Sequence, residues 1–184
     1  TAAARFGRLD IVVNNAGGSP DSDAATVSPR FVQSIVNLNL LAPFYVAQPA
    51  NAIMQAQPEG GVIINIGSVA GINPNPRAAA YAAAKAGLTM LTHALALEWG
   101  PLVRVNQVTV GLVATKNAAQ YYGGDEGQRA IAALIPAGRM ATPDDVASAC
   151  LLLASPLAGY ISGADLRVDG GGEVPARFIA GQPG

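Results

Sequence analysis

Charge is scarce in this chain of 184 residues: charged side chains make up 12% of it, and 11 basic against 12 acidic ones leave a formal charge of −1. A nucleic-acid surface needs a basic excess, so no nucleic-acid partner is expected. Cysteine occurs once, as Cys150, which excludes an internal disulfide; its setting in Ala149-Cys150-Leu151 reads as a small apolar filler, and no metal site is expected. Long apolar runs are missing too. None approaches the roughly 18 residues of a membrane span, and the opening residues do not follow the basic-then-apolar plan of a signal peptide. A cytoplasmic chain with no membrane partner is the expectation.

Apolar residues, by contrast, are abundant, at 51% with a mean hydropathy of +0.31. That suffices for a sizeable core and argues against a disordered chain. It also leaves more apolar surface than an isolated domain normally exposes, so a homo-oligomer, a dimer or tetramer, is expected. The 21 glycines point to tight turns and close backbone approaches.

Leu9 to Val13 reads as a buried strand stopped by Asn14-Asn15-Ala16-Gly17-Gly18. After a polar loop, Ser28 and Pro29 start a long helix with apolar positions Phe31, Ile35, Leu38, Ala42 and Val46. Val62 to Ile66 is a second strand, ended by Gly67-Ser68. Ala78 to Trp99 is a helix, stopped by Gly100-Pro101 before the strand Val103 to Val110. Residues 116–137 read as a mobile lid with short helices, and Thr142-Pro143-Asp144-Asp145 opens a helix to about Ala154. A last strand at 164–169 precedes a Gly- and Pro-rich tail, 173–184. Alternating strands and helices predict one α/β domain over 1–184, a Rossmann-like doubly wound parallel sheet with helices on both faces. Ligands bind such sheets outside the carboxyl ends of the strands, here Asn14 to Gly18, Gly67-Ser68 and Gly111 to Thr115.

One pair of side chains carries a chemical suggestion. Tyr81 and Lys85 lie four apart on one helix face, where an ammonium lowers the pKa of a neighbouring phenol and makes it a usable proton donor and acceptor. Taken alone, Tyr-x-x-x-Lys is ordinarily a surface pair. Ser68 stands 13 residues before Tyr81 at a strand end, and alone is an ordinary turn serine. Asn39 precedes Pro43 by four; proline has no N–H to give the Asn39 carbonyl, so the helix should kink and the free carbonyl can hold a water. A proline kink beside a surface asparagine is its plainer reading.

Together these residues resemble a family. Asn14-Asn15-Ala16-Gly17, Asn39, Ser68 and Tyr81-Ala82-Ala83-Ala84-Lys85 resemble the Asn-Asn-Ala-Gly motif and the Asn-Ser-Tyr-Lys tetrad of the classical short-chain dehydrogenases/reductases. Arg104-Val105-Asn106, Gly111-x-Val113-x-Thr115 and Val168-Asp169-Gly170-Gly171 resemble its later motifs. The resemblance implies an NAD- or NADP-dependent oxidoreductase interconverting a secondary alcohol and a ketone. Tyr81 is then the acid and base, Ser68 the hydrogen-bonding partner of the substrate oxygen, and Lys85 the ribose ligand that lowers the pKa of Tyr81. Asn39 holds a relay water. Asn15, Ala16 and Gly17 lie along the adenosine side, Tyr81 and Lys85 at the nicotinamide ribose, and Val113 and Thr115 beside the carboxamide, with Gly111 also a cofactor-binding residue. Lid residues Ile131, Leu134 and Ile135 suggest an apolar substrate, such as a 3-oxoacyl, alicyclic or steroid-like ketone.

Two departures stand out. No Gly-x-Gly-x-x-Gly turn follows an opening strand, so the phosphate-binding loop and the residue separating NAD from NADP are not in this sequence. The chain is therefore expected to be the C-terminal portion of such a domain, its opening strands either deleted or lying outside this sequence; the exposed edge that deletion creates favours the second. Val110 stands where the family usually has proline, and valine either loosens that turn or restores a backbone N–H there. A non-catalytic structural subunit is the alternative to the enzyme, and a dehydratase or epimerase a third possibility, against which stands the short stretch after Asp169.

Overall fold

β-Branched residues fill the middle of the chain's strands. In the computed structural model, which describes residues 2–116 and 118–174, they form one parallel sheet. Its strands are β1 (Ile11–Asn14), β2 (Gly61–Ser68), β3 (Val103–Val110) and β4 (Asp165–Val168), in spatial order β1-β2-β3-β4 and all parallel. The helices are α1 (Ala2–Phe6), α2 (Pro29–Val36), α3 (Ala42–Gln55), α4 (Ala79–Trp99), α5 (Ala118–Tyr122), α6 (Asp125–Ala133) and α7 (Pro143–Ala154). Strand β1 starts two residues later than its apolar run suggests, and α1 lies in a stretch without a helical pattern. The proposed tail lies outside the described residues from 175 onward.

Alternation along the buried strands feeds two cores, as the pleat requires. On one face Ile63, Val103 and Val105 pack with Ala47, Ala50 and Met54 of α3 and Leu95 of α4. On the other, Val62, Ile64, Val108 and Val110 pack with Ala149 and Leu153 of α7, with half-buried Cys150 alongside. Each fully buried Leu, Ile, Val or Met in these cores contributes about 1.5–3 kcal/mol. Helix α7 begins as expected: Thr142 Oγ1 accepts from the Asp145 N–H, and Asp145 in turn accepts from the Thr142 N–H at 2.7 Å.

The long helix from Pro29 is not one α-helix. α2 and α3 are joined by a π-helical turn, Asn37–Leu41, in which the Ala42 N–H reaches back to the Asn37 carbonyl. The extra residue rotates everything downstream by about 100°. Ile35 is buried as expected, and the buried positions after it are Asn39, Pro43 and Ala47, each one residue later than the expected Leu38, Ala42 and Val46. Leu38 and Val46 are exposed, at 42% and 48%. Pro43 is the cause: lacking an N–H, it cannot continue the α-helical ladder, and the turn widens in front of it.

Strand β1 pairs with β2 alone among the described residues, and Ile11 and Val13 on it are 48% and 44% exposed. No helix among the described residues is long and apolar enough to cross a membrane, and no group of three or more metal-ligating side chains occurs among them.

Candidate active site

The carboxyl ends of β1, β2 and β3 place the loops 14–18, 67–69 and 111–115 at one end of the sheet. Ser68 closes β2 in extended backbone; its Oγ accepts from the Ala70 N–H at 3.2 Å and is hydrogen-bonded to the Tyr81 hydroxyl. Tyr81 stands in the first turn of α4, and Lys85 one turn further on is 4% exposed. The Lys85 Nζ donates to the Ile66 carbonyl at 2.7 Å and lies 5.7 Å from the centre of the Tyr81 ring. Gly71 lets the strand-end turn approach this helix closely, because a Cβ there would come within 2.9 Å of the Lys85 and Ala86 backbone.

The electrostatics differ from the sequence expectation. Burial pushes the Tyr81 phenol above its usual value, and the hydrogen bond from Ser68 offsets this only in part. The Lys85 ammonium, directed at the Ile66 carbonyl, does not lower it. Burial instead acts on Lys85 itself and brings it down from 10.5 to about 8. Desolvation thus outweighs pairing for both groups.

Asn39 is fully buried in the π-helical turn, and all of its amide is engaged. Its Oδ1 accepts from the Gly18 N–H at 2.9 Å, while its Nδ2 donates to the carbonyls of Gly18 and Ile35, both at 2.9 Å. The side chain therefore clamps the loop after β1, a task that the Asn39-Pro43 spacing does not reveal. Gly17 completes the cradle. A Cβ there would sit 2.8 Å from Asn39 Oδ1 and 3.2 Å from Lys85 Nζ, so only glycine leaves room between loop and ammonium. Gly17→Ala is expected to cost about 1–3 kcal/mol, because Asn39 cannot yield without breaking three hydrogen bonds. Denaturant unfolding measures this, and an unchanged midpoint would show that the clamp gives way freely.

The other expected cofactor contacts lie at the same end of the sheet. Asn15 and Ala16 are exposed beyond β1, and Thr115 is exposed beyond β3. Gly111 donates to the Val168 carbonyl at 3.0 Å and leaves no space for a Cβ against Asp169. The Val113 side chain packs against the α7 core. A water-sized hollow of about 10 Å³ just beyond β2 is lined by Val69, Asn73, Leu112, Ile135, Asp169 and Glu173. Of Ile131, Leu134 and Ile135, expected on a lid, only Ile135 lines it, 5% exposed; Leu134 is 39% exposed. The end of segment 116–137 is tied to the segment after β4, since the Ala137 N–H donates to the Gly170 carbonyl and the Val174 N–H to that of Leu134. Nothing in the sequence pattern signals that link. A larger cavity of about 480 Å³ opens at the opposite end of the sheet, between Gly61, Pro101, Arg104 and Pro156, and none of the candidate residues lines it.

A doubly wound sheet with serine, tyrosine and lysine gathered at the strand ends is the framework of a dinucleotide-dependent oxidoreductase, and the comparisons agree. The family described as enoyl-(acyl carrier protein) reductase matches residues 1–173. The 2-dehydro-3-deoxy-D-gluconate 5-dehydrogenase of Escherichia coli (strain K12) is 36% identical over 171 residues, 92% of this chain and 68% of that enzyme. A 3beta-hydroxysteroid dehydrogenase of Eggerthella lenta is 40% identical over 178 residues, 96% of this chain and 68% of the relative. The solved structure of a Thermoplasma acidophilum aldohexose dehydrogenase superposes with a TM-score of 0.86 at 30% identity, covering 92% of this chain and 69% of that one. The chain belongs to the short-chain dehydrogenase/reductase family and is an oxidoreductase of that kind.

Proposed function

We propose that this protein interconverts a secondary alcohol and a ketone with a nicotinamide cofactor, NAD or NADP, and that Tyr81 moves the proton. The observation that carries the proposal is the Tyr81 hydroxyl hydrogen-bonded to Ser68, with Lys85 one helical turn away. Because burial keeps the phenol protonated at neutral pH, Tyr81 can donate its proton to a carbonyl oxygen in reduction and recover one in oxidation. Ser68 donates a hydrogen bond to the same oxygen and stabilises the charge that develops on it. Lys85 and Tyr81 hold the nicotinamide ribose, Asn15, Ala16 and Gly17 the adenosine side, and Gly111, Val113 and Thr115 the carboxamide. The Gly17 cradle beside the Lys85 ammonium and Asn39 fits such a ligand. When bound, the cofactor supplies the hydride. The main-chain carbonyl of Asn39 is the acceptor that links Lys85 to solvent through a water.

The apolar residues Ile131, Leu134 and Ile135 are the ground for a substrate with an apolar face, such as a 3-oxoacyl, alicyclic or steroid-like ketone. The relatives act on sugar acids, steroids and aldohexoses by their names, so the class is decided by assay. The open edge of β1 and the exposed Ile11 and Val13 are where we place the strand and helix carrying the phosphate-binding loop. Exposed Tyr45, Val46, Met90 and Leu97 on α3 and α4 support a homo-oligomer, a dimer or tetramer, and a cytoplasmic location is part of the same reading.

The test is a fluorescence titration with NADH and NADPH, followed by turnover on a panel of cyclic ketones, 3-oxoacyl thioesters, steroid ketones and neutral sugars. Saturable binding of one dinucleotide and reduction of an apolar ketone are expected. Binding of neither overturns the oxidoreductase reading, and turnover confined to sugars overturns the apolar substrate.

A further inference from the structure

Four polar residues stand in one register row across all four strands: Asn14 on β1 faces Asn65 on β2, Asn65 faces Gln107 on β3, and Gln107 faces Asp165 on β4. The row runs beneath α3 and α4. Asn14 donates to Asn65 at 2.8 Å, and Asn65 donates to Thr92 of α4 at 2.9 Å. Gln107 is the anomaly in it. The residue is 1% exposed, and its Oε1 is the one buried side-chain oxygen or nitrogen among the described residues without a hydrogen-bond partner. An unmet buried amide oxygen costs about 1–3 kcal/mol, enough to offset the net worth of the hydrogen bonds that its Nε2 makes. Stability alone therefore does not explain a glutamine here.

Its contacts do. On the helix side, Gln107 Nε2 donates to Thr89 Oγ1 at 2.8 Å, and Thr89 Oγ1 donates to the Lys85 carbonyl at 3.2 Å. The same nitrogen reaches Thr109 Oγ1 at 2.8 Å and Asp165 Oδ1 at 3.4 Å. On the sheet side, the amide lies flat against Gly67, where a Cβ would come within 2.6 Å of Gln107 Cδ and Nε2. Gly67 directly precedes Ser68. One rigid amide thus rests on the strand that ends in Ser68 and grips, through Thr89, the helical turn that begins at Lys85.

We propose that Gln107 is a positioning residue, acting through Thr89 and Gly67 to fix the separation of Ser68 from the Tyr81 and Lys85 turn. The proposal rests on the catalytic reading above. It also assigns a role to the glycine before Ser68, which makes room for the amide. Misplacement of a reacting group by about 1 Å can cost two orders of magnitude in rate, so a spacer at this point has leverage on the chemistry without touching the substrate.

The test uses the full enzyme, Gln107→Met, Thr89→Val and their double variant, with two readouts. The first is kcat and KM with the ketone found above. The second is the pH titration of the Lys85 Cε resonance in lysine-labelled protein, assigned by its loss in Lys85→Met, with exposed Lys116 as control. For Gln107→Met we expect a thermal midpoint lowered by no more than a few degrees, since the unmet Oε1 goes as Thr89 and Thr109 lose their donor, with a roughly tenfold lower kcat and an unchanged KM. The Lys85 titration should move from about 8 by roughly half a pH unit or more. Thr89→Val should do the same, and the double variant should be no worse than the worse single one, as for two parts of one device. A kcat within twofold of the parent overturns the proposal, as does a kcat loss that only follows a falling midpoint while Lys85 titrates unchanged. If the parent shows no turnover with any ketone, the catalytic reading fails, and the Lys85 titration alone decides whether Gln107 holds that turn.

Discussion

Tyr81→Phe is expected to lower kcat by about 10²- to 10⁴-fold, the usual contribution of a placed general acid, while dinucleotide affinity stays within a few-fold. The variant removes one hydroxyl and leaves the ring, the helix and the Lys85 ammonium where they are. Because burial holds the phenol above its ordinary value, the parent donor is protonated throughout the neutral range, and no pH in that range should rescue the variant. Stability should fall by only about 1 kcal/mol, the worth of the lost hydrogen bond to Ser68. Steady-state kinetics decide the matter: turnover close to that of the parent would mean that another group supplies the proton.

Lys85→Met should do something different, abolishing most turnover while making the protein more stable at neutral pH. Burial brings Lys85 from 10.5 to about 8, so at pH 7 the folded protein carries a buried ammonium at a cost of about 3 kcal/mol. Methionine removes that cost and forfeits the hydrogen bond to the Ile66 carbonyl, worth about 1 kcal/mol, which leaves a net gain of about 2 kcal/mol. The sign with pH follows from the depressed value. Below about 8 the lysine is protonated folded and unfolded, and the full penalty is present. Between about 8 and 10.5 the unfolded chain binds the proton that the folded one has released, so the parent gains stability as pH rises, and the difference from the variant narrows. Thermal unfolding at pH 7 and pH 10 measures this, and a variant no more stable than the parent at pH 7 would show that the ammonium is well solvated. A group kept at such expense is explained by function, the common trade between stability and activity.

How far the sequence reached differs from element to element. The strands β2 and β3 were legible because Val62-Ile63-Ile64 in one and the recurring Val103, Val105, Val108 and Val110 in the other leave little choice of structure. The start of α7 was legible because hydroxyl, proline and acids each satisfy a helix N-terminus. The long helix from Pro29 was legible in extent and wrong in phase. A proline four after Asn39 announces an interruption, but whether the chain kinks or inserts a residue is settled by what the downstream face must bury. The insertion turned Leu38 and Val46 outward and Pro43 and Ala47 inward.

In the site the division is similar. Residue types and spacing alone put Ser68 at a strand end and Tyr81 and Lys85 on one helix face, since a period of 3.6 permits nothing else. Packing decided the rest, because desolvation and hydrogen-bond partners depend on neighbours distant in sequence. It sent the Lys85 ammonium to the Ile66 carbonyl rather than to the phenol, turned the Asn39 amide onto Gly18, and set Gln107 behind Gly67. The chain by itself determined which groups are available and on which elements they ride. The tertiary structure decided which of them are dehydrated, which are clamped, and therefore at what pH each one carries its proton.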